Sequence, residues 1–139
     1  MRGESLIMTE LQLFLMENPV DNITDKVKLG GRLKNFEFEI KPMNNNDMTR
    51  YQKLCIKNPN SSKKKEFDIQ KFNELVVINN VINPNFKDPE WMKSAGVLTP
   101  EALLNKVLLA GEIAELSEKI SELSGFNNDT EDLEEEIKN

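Results

Sequence analysis

The stretch that most constrains this chain is its closing third, Leu98 to Phe126, which reads LTPEALLNKVLLAGEIAELSEKISELSGF. Thr99 offers a hydroxyl to an orphan amide at a helix start, and Pro100 suits the first helical position, where no amide partner is needed. Leu103, Leu104, Val107 and Leu108 form the apolar stripe of that helix. Gly111 interrupts the pattern, after which Ile113, Leu116, Ile120 and Leu123 recur at i, i+3, i+7 and i+10. Gly125 stands where a left-handed residue ends a helix, and Phe126 where a Schellman-type contact closes it. The spacing predicts two consecutive helices meeting at an angle at Gly111. The second carries a narrow seam flanked by Glu112, Glu115, Glu118 and Glu122. Three occupants fit that seam: the core of the same domain, a second copy of the chain, or a helix of another protein.

Composition removes most chemistry. The sequence of 139 residues predicts one domain, placed at residues 9–126. Histidine is absent and Cys55 is the only cysteine, which excludes disulfides, ordinary zinc sites and every histidine-based relay. Cys55 reads as a half-buried helical cysteine with no histidine to activate it, in a reducing setting. No apolar run approaches the roughly 20 residues that span a bilayer, so a soluble, unexported protein is expected, with no membrane partner. Residues 126–139 hold six of the acidic side chains against one lysine, which leaves the body nearly neutral. The only basic cluster, Lys63 to Lys65, lies among Ser and Asn in a predicted loop, so no nucleic-acid surface is expected. Glu37/Glu39 and Glu115/Glu118 read as solvated faces. No phosphate loop, metal-ligand spacing or cofactor motif is present, and the expectation is a non-enzymatic protein without cofactors.

Taken in order, residues 1–8 read as an N-terminal extension, with Met8 a plausible second start. TELQLFLMEN, from Thr9, predicts a capped helix with Leu11, Phe14 and Leu15 on one side, ended at Asn18-Pro19, that packs or presents itself to a partner. Phe36, Phe38 and Ile40 then alternate with polar residues, the period of a half-buried strand. Two hairpin turns compete. A turn at Lys34-Asn35 pairs Leu33 with Phe36, Gly31 with Phe38, Leu29 with Ile40 and Val27 with Pro42, and is preferred; a Gly30-Gly31 turn, the better turn chemistry, pairs Leu29 with Arg32 and Val27 with Lys34. Asn44 to Asp47 supplies caps for a helix through Met48, Tyr51, Leu54 and Cys55, closing near Asn58-Pro59. Asn58 to Glu66 reads as a mobile polar loop. Asp68 caps a helix through Phe72, Leu75, Val76, Val77, Ile78, Val81 and Ile82, predicted to be the most buried element, although its β-branched run makes a strand the competing reading. Trp91 sits in a turn-rich connection and reads as a core plug over helices, with a partner contact as the alternative. The fold class expected is α+β, predominantly helical, with a small N-terminal β-hairpin packed on a bundle of short helices.

With those elements placed, the chain resembles the XkdN-like family of phage tail assembly chaperones. The carriers are FEFEIKPM, the helix to Leu54-Cys55, FDIQKFNELVVINNVINPNF, and the ordered series AGVLTPEALLNKVLLAGEIAELSEKISELSGF, over most of residues 9–126. The last series is the most specific, and the hairpin is shorter than the family pattern. The resemblance implies a protein of the bacterial host cytoplasm that binds the tape measure protein, keeps it soluble, helps the tail tube protein polymerise around it and is absent from the mature particle. It turns the candidate contacts Ile113, Leu116, Ile120, Leu123 and Trp91 toward capture of a tape measure helix, with a homo-oligomer the competing use. A constitutive structural protein of a tail or baseplate, and an unrelated acidic cytosolic adaptor, are the other readings.

Residues 127–139 are acidic and almost free of large apolar groups, which predicts a disordered tail that contributes little to folding. Truncation at Phe126 is expected to leave the melting temperature within about 4 °C of the full chain; a larger drop, equivalent to roughly 1 kcal/mol, would show a docked tail.

Overall fold

The computed structural model describes residues 7–57 and 66–126, so most of the N-terminal extension, residues 58–65 of the polar loop and the acidic tail lie outside the described residues. In chain order its elements are α1 (Glu10–Glu17), β1 (Asp25–Val27), β2 (Phe38–Ile40), α2 (Asn45–Leu54), β3 (Ile56–Lys57), β4 (Glu66–Phe67), α3 (Ile69–Asn80), β5 (Val81–Asn83), α4 (Pro89–Ala95), α5 (Pro100–Val107) and α6 (Ala110–Leu123). Short 3-10 turns occupy Val20–Asn22 and Gly31–Leu33. The fold is α+β and predominantly helical, as two apolar periods in one chain require.

Local chemistry fixes where the helices begin. Thr9 Oγ1 accepts the Gln12 amide at 3.0 Å while Gln12 Oε1 accepts that of Thr9 at 2.7 Å. Asn44 and Asp47 make the same reciprocal box, at 2.8 and 3.2 Å. Asp68 accepts the Lys71 amide at 3.1 Å, and Thr99 that of Ala102 at 3.1 Å, with Pro100 at the first helical position. Each bond satisfies a donor that the first helical turn leaves unpaired.

Helix α3 is the centre of the packing. It contacts α2, α5 and, most extensively, α6. Phe72, Val76, Val77 and Ile78 are buried along it and join Tyr51, Leu103, Leu104, Ile113, Leu116 and Ile120 in one core. Its β-branched run is helical up to Asn80, and the strand tendency takes over only at Val81, where the chain straightens into β5. β5 was not legible as a strand: three residues show no alternation, and Ile82 faces outward at 39 % exposure. It joins the hairpin to give an antiparallel sheet in the order β1-β2-β5, with a bulge between Glu39 and Ile40.

Neither expected hairpin register is adopted. The strands pair Asp25 with Ile40, Lys26 with Glu39 and Val27 with Phe38, midway between the two turns considered. The inner face is unchanged, because a slip of even length keeps parity. The reason lies in the connection. Leu29 is buried in the core, the chain turns through Gly31 at φ 64°, and Leu33 packs against the core, so the loop is itself an interior element rather than a tight turn. Phe36 is left outside the strand and exposed.

Three further boundaries differ. Helix α2 ends at Leu54, not near Asn58-Pro59, and Ile56–Lys57 pairs with Glu66–Phe67 as a second, two-stranded ladder that takes Glu66 out of the expected loop. The segment expected to be a turn-rich connection contains α4, capped by Asp88, whose carboxylate accepts the Glu90 amide at 3.0 Å, and closed by Gly96 at φ 74°. The break between α5 and α6 falls at Leu108-Leu109, both extended, and Gly111 lies inside the first turn of α6. Glu112 sets that start, its Oε1 accepting the Leu109 amide at 2.8 Å. The end of α6 follows the sequence: Gly125 has φ 98°, and the amides of Gly125 and Phe126 donate to Glu122 and Ser121, the Schellman pattern.

Asn80 holds the layers together. Its side chain is fully buried, with Oδ1 accepting the Tyr51 hydroxyl at 2.8 Å and Nδ2 donating to the carbonyls of Lys41 at 3.3 Å and Pro42 at 3.0 Å. Its backbone carbonyl accepts the Lys41 amide at 2.9 Å. Burial, with Asp47 nearby, pushes the Tyr51 phenol up to about 12, so it remains a donor across the working pH range. Asn80→Leu strands the hydroxyl and two carbonyls in the core. The expected cost is about 2 kcal/mol or more, read as a drop of roughly 8 °C in Tm for a chain of this size; an unchanged melting curve would contradict the role assigned to this amide.

Candidate partner-binding surface

The α6 seam is used internally. Leu116 and Ile120 have no exposed surface, Ile113 retains 7 %, and only Leu123 is half-buried at the end of the helix. The seam packs on α3, and beside it the Ser117 hydroxyl, also buried, donates to Asn73 Oδ1 at 2.8 Å. Of the three occupants that fit the stripe, the core of the same chain is the one the structure contains. Trp91 is half-buried on α4, its indole stacked on the fully buried Phe86 with centroids 5.3 Å apart and planes inclined by 27°. It is a plug on the core, and the structure does not bring it together with the seam as one outward face.

Both ends of α6 are tied to the sheet region. At the start, Arg32 from the β1–β2 connection forms a two-pronged ion pair with Glu112, Nε to Oε2 at 2.8 Å and Nη2 to Oε1 at 2.6 Å, and Nη2 also donates to the Val107 carbonyl at 2.9 Å. The hydrogen bonds from Arg32, with that from the Leu109 amide, hold the Glu112 carboxyl below the usual glutamate range. At the end, the Met43 amide donates to Ser124 Oγ at 2.8 Å. Helix α6 is thus fixed in position and in rotation, and turning its seam toward a partner would break all of these contacts.

The unsatisfied apolar surface lies elsewhere. No residue of α1 is buried. Leu11, Leu13, Phe14, Leu15 and Met16 are all exposed on it, and Ile7, Val20 and Ile23 are exposed on either side. Apolar residues occur around the whole helix, a pattern that belongs to buried helices. A contiguous exposed set of this kind marks an interaction surface rather than ordinary surface scatter. The sequence placed Leu11, Phe14 and Leu15 on one side of a capped helix. What it under-weighted was that Leu13 and Met16 extend the apolar character to the other side, which leaves Glu10, Gln12 and Glu17 as the only polar residues of the helix.

Cys55, expected half-buried, is almost fully buried at the C-cap of α2, and desolvation pushes its thiol up, away from nucleophilic use. Among the described residues no group of three or more Cys, Asp or Glu side chains is placed to hold a metal ion, and no helix is long and apolar enough to cross a membrane.

The described residues thus comprise a helical core and a capped helix, α1, whose apolar residues the core leaves uncovered. Residues 11–138 match the family described as phage XkdN-like tail assembly chaperone protein, and the chain belongs to that family. Among its relatives in Bacillus subtilis (strain 168), the uncharacterized protein YqbN is 37 % identical over 76 residues, 54 % of this chain and 51 % of that protein. The phage-like element PBSX protein XkdN is 36 % identical over 76 residues, again 54 % and 51 %. The aligned part of the chain thus spans about half the length of these curated relatives. The crystal structure of YqbN superposes with a TM-score of 0.58 at 21 % identity, covering 86 % of this chain and 99 % of that one, a likeness of fold.

Leu116→Glu tests the internal use of the seam. A carboxylate placed at a fully buried position without a partner is expected to cost at least ~3 kcal/mol, giving an unfolded or insoluble product by circular dichroism. A folded variant with an unchanged melting temperature would show that the helix is free to turn outward.

Proposed function

We propose that this chain is a tail assembly chaperone that binds the tape measure protein of its phage or phage-derived particle and assists polymerisation of the tail tube protein around it. Membership of the family supports a role in tail assembly, and the uncovered apolar helix α1 is the observation that favours a binding role. A tape measure protein is long and helical, so until the tube encloses it, its apolar stripes are free to aggregate. A chaperone that covers such a stripe lowers the free concentration of the aggregating form by mass action, and releases it when tube subunits compete for the same surface. No bond is made or broken in this cycle. The fold supplies a rigid body that carries the binding helix, and it acts in the host cytoplasm without entering the finished particle.

The direct test is co-expression with the tape measure protein encoded in the same genome. The tape measure protein is expected in the soluble fraction only when this chain is present, and purified tails are expected to lack the chain. A tape measure protein whose solubility is indifferent to the chain, or purified tails that contain it in stoichiometric amount, would contradict the proposal.

A further inference from the structure

We infer that the segment from Ile7 to Thr24, centred on α1, is the capture surface, and that its occupant is an apolar helix of another protein bearing lysine or arginine beside its stripe. The inference rests on the chaperone reading and adds to it the surface and the chemistry of the partner.

Charge decides among the possible occupants. The segment contains Glu10, Glu17 and Asp21 and no lysine or arginine. Pairing two copies through α1 would bring six acids together with no base between them, and like charges held side by side in an interface oppose association. The six acids and one lysine of residues 127–139 make that segment a poor electrostatic match for α1 by the same repulsion. A membrane surface is also a poor match, because interfacial helices carry their lysines and arginines on the polar face and are drawn to anionic lipid, whereas this segment is wholly acidic.

The position of the charges adds a direction. Glu10 lies in the first turn of α1, where the helix dipole favours an acid. Glu17 is the last helical residue, with no basic residue in that turn, so its charge adds to the negative end of the dipole instead of offsetting it. Asp21 follows one turn later, in the 3-10 turn. Glu17 and Asp21 therefore place negative charge at the C-terminal end of α1 next to Phe14, Leu15 and Val20, with Asp47 adding to it and Lys41 offsetting part of it where they line one pocket with Val20 and Asp21. A partner helix with an apolar stripe and a base at that end meets both features at once.

The experiment uses the full chain and two synthetic peptides of one Leu/Ala amphipathic pattern, one with lysine at the polar positions and one with glutamate. The triple variant Leu11→Gln, Phe14→Gln and Leu15→Gln alters only exposed residues and keeps good helix formers, so its circular dichroism and melting should match the parent. The parent is expected to bind the lysine peptide at least ten-fold more tightly than the glutamate peptide, with an affinity that falls as salt rises. The triple variant is expected to lose at least ten-fold toward the lysine peptide and to leave co-expressed tape measure protein insoluble. Glu17→Lys is expected to narrow the preference between the peptides. Undiminished peptide binding and solubilisation by the triple variant would overturn the surface while leaving the chaperone reading intact; a parent that does not solubilise the tape measure protein removes that reading, and the peptide titration then judges the surface alone. A parent that sediments as a dimer dissociated by the triple variant, or that binds phosphatidylcholine–phosphatidylglycerol vesicles through α1, overturns the assigned occupant.

Discussion

The amide of Asn80 is the contact on which the rest of the structure depends. It sits where the chain changes from α3 to β5, and its three side-chain bonds reach Tyr51 on α2 and the Lys41 and Pro42 carbonyls just beyond β2. Apolar packing brings these elements together but does not set their register, since aliphatic surfaces slide at little cost. A buried amide with every donor and acceptor used allows one arrangement, because any displacement leaves a polar atom in a medium that cannot solvate it. That is how strands of three residues come to form a defined sheet against a helical core.

A second set of polar contacts carries that order to α6. Arg32 grips the first turn through Glu112 and the end of α5 through the Val107 carbonyl, and Ser124 receives the Met43 amide at the last turn of α6. Between these two anchors the apolar seam has one available direction, into α3. The body of the protein is thereby closed on itself. Among the described residues helix α1 has no comparable anchor: its reciprocal cap between Thr9 and Gln12 and the bonds from Asn18 to the Phe14 carbonyl are all local. The division between a closed body and an uncovered arm follows from where the long-range polar contacts fall.

This division also explains what was legible in the sequence. Thr9, Asn44, Asp68 and Thr99 each announced a helix start, because a cap is decided within four residues. Phe38 and Ile40 announced the inner face of a strand by alternation. The hairpin register was not legible, since it depends on Leu29 finding a place in a core assembled from residues far along the chain. The break at Leu108-Leu109 was missed because Gly111 looked like the better hinge, while the Glu112 carboxylate that caps the Leu109 amide three residues away is held in place by Arg32, 80 residues away. The seam on α6 and the apolar side of α1 were both legible, but such patterns say only that residues are apolar, not what covers them. Which of two faces the core takes is a matter of competition. The α6 face, on a longer helix and set against α3 at the centre of the packing, is the one that packs.

Helix α6 thus belongs to the core, and α1 is the helix we propose for binding. Chemical-shift mapping compares the two in one experiment, with the isotopically labelled chain titrated with a helical segment of the tape measure protein from the same genome. The account predicts perturbations concentrated on residues 9–17 and the following turn, with the amides of residues 113–123 unmoved. Perturbations centred on 113–123 with α1 unaffected would contradict it.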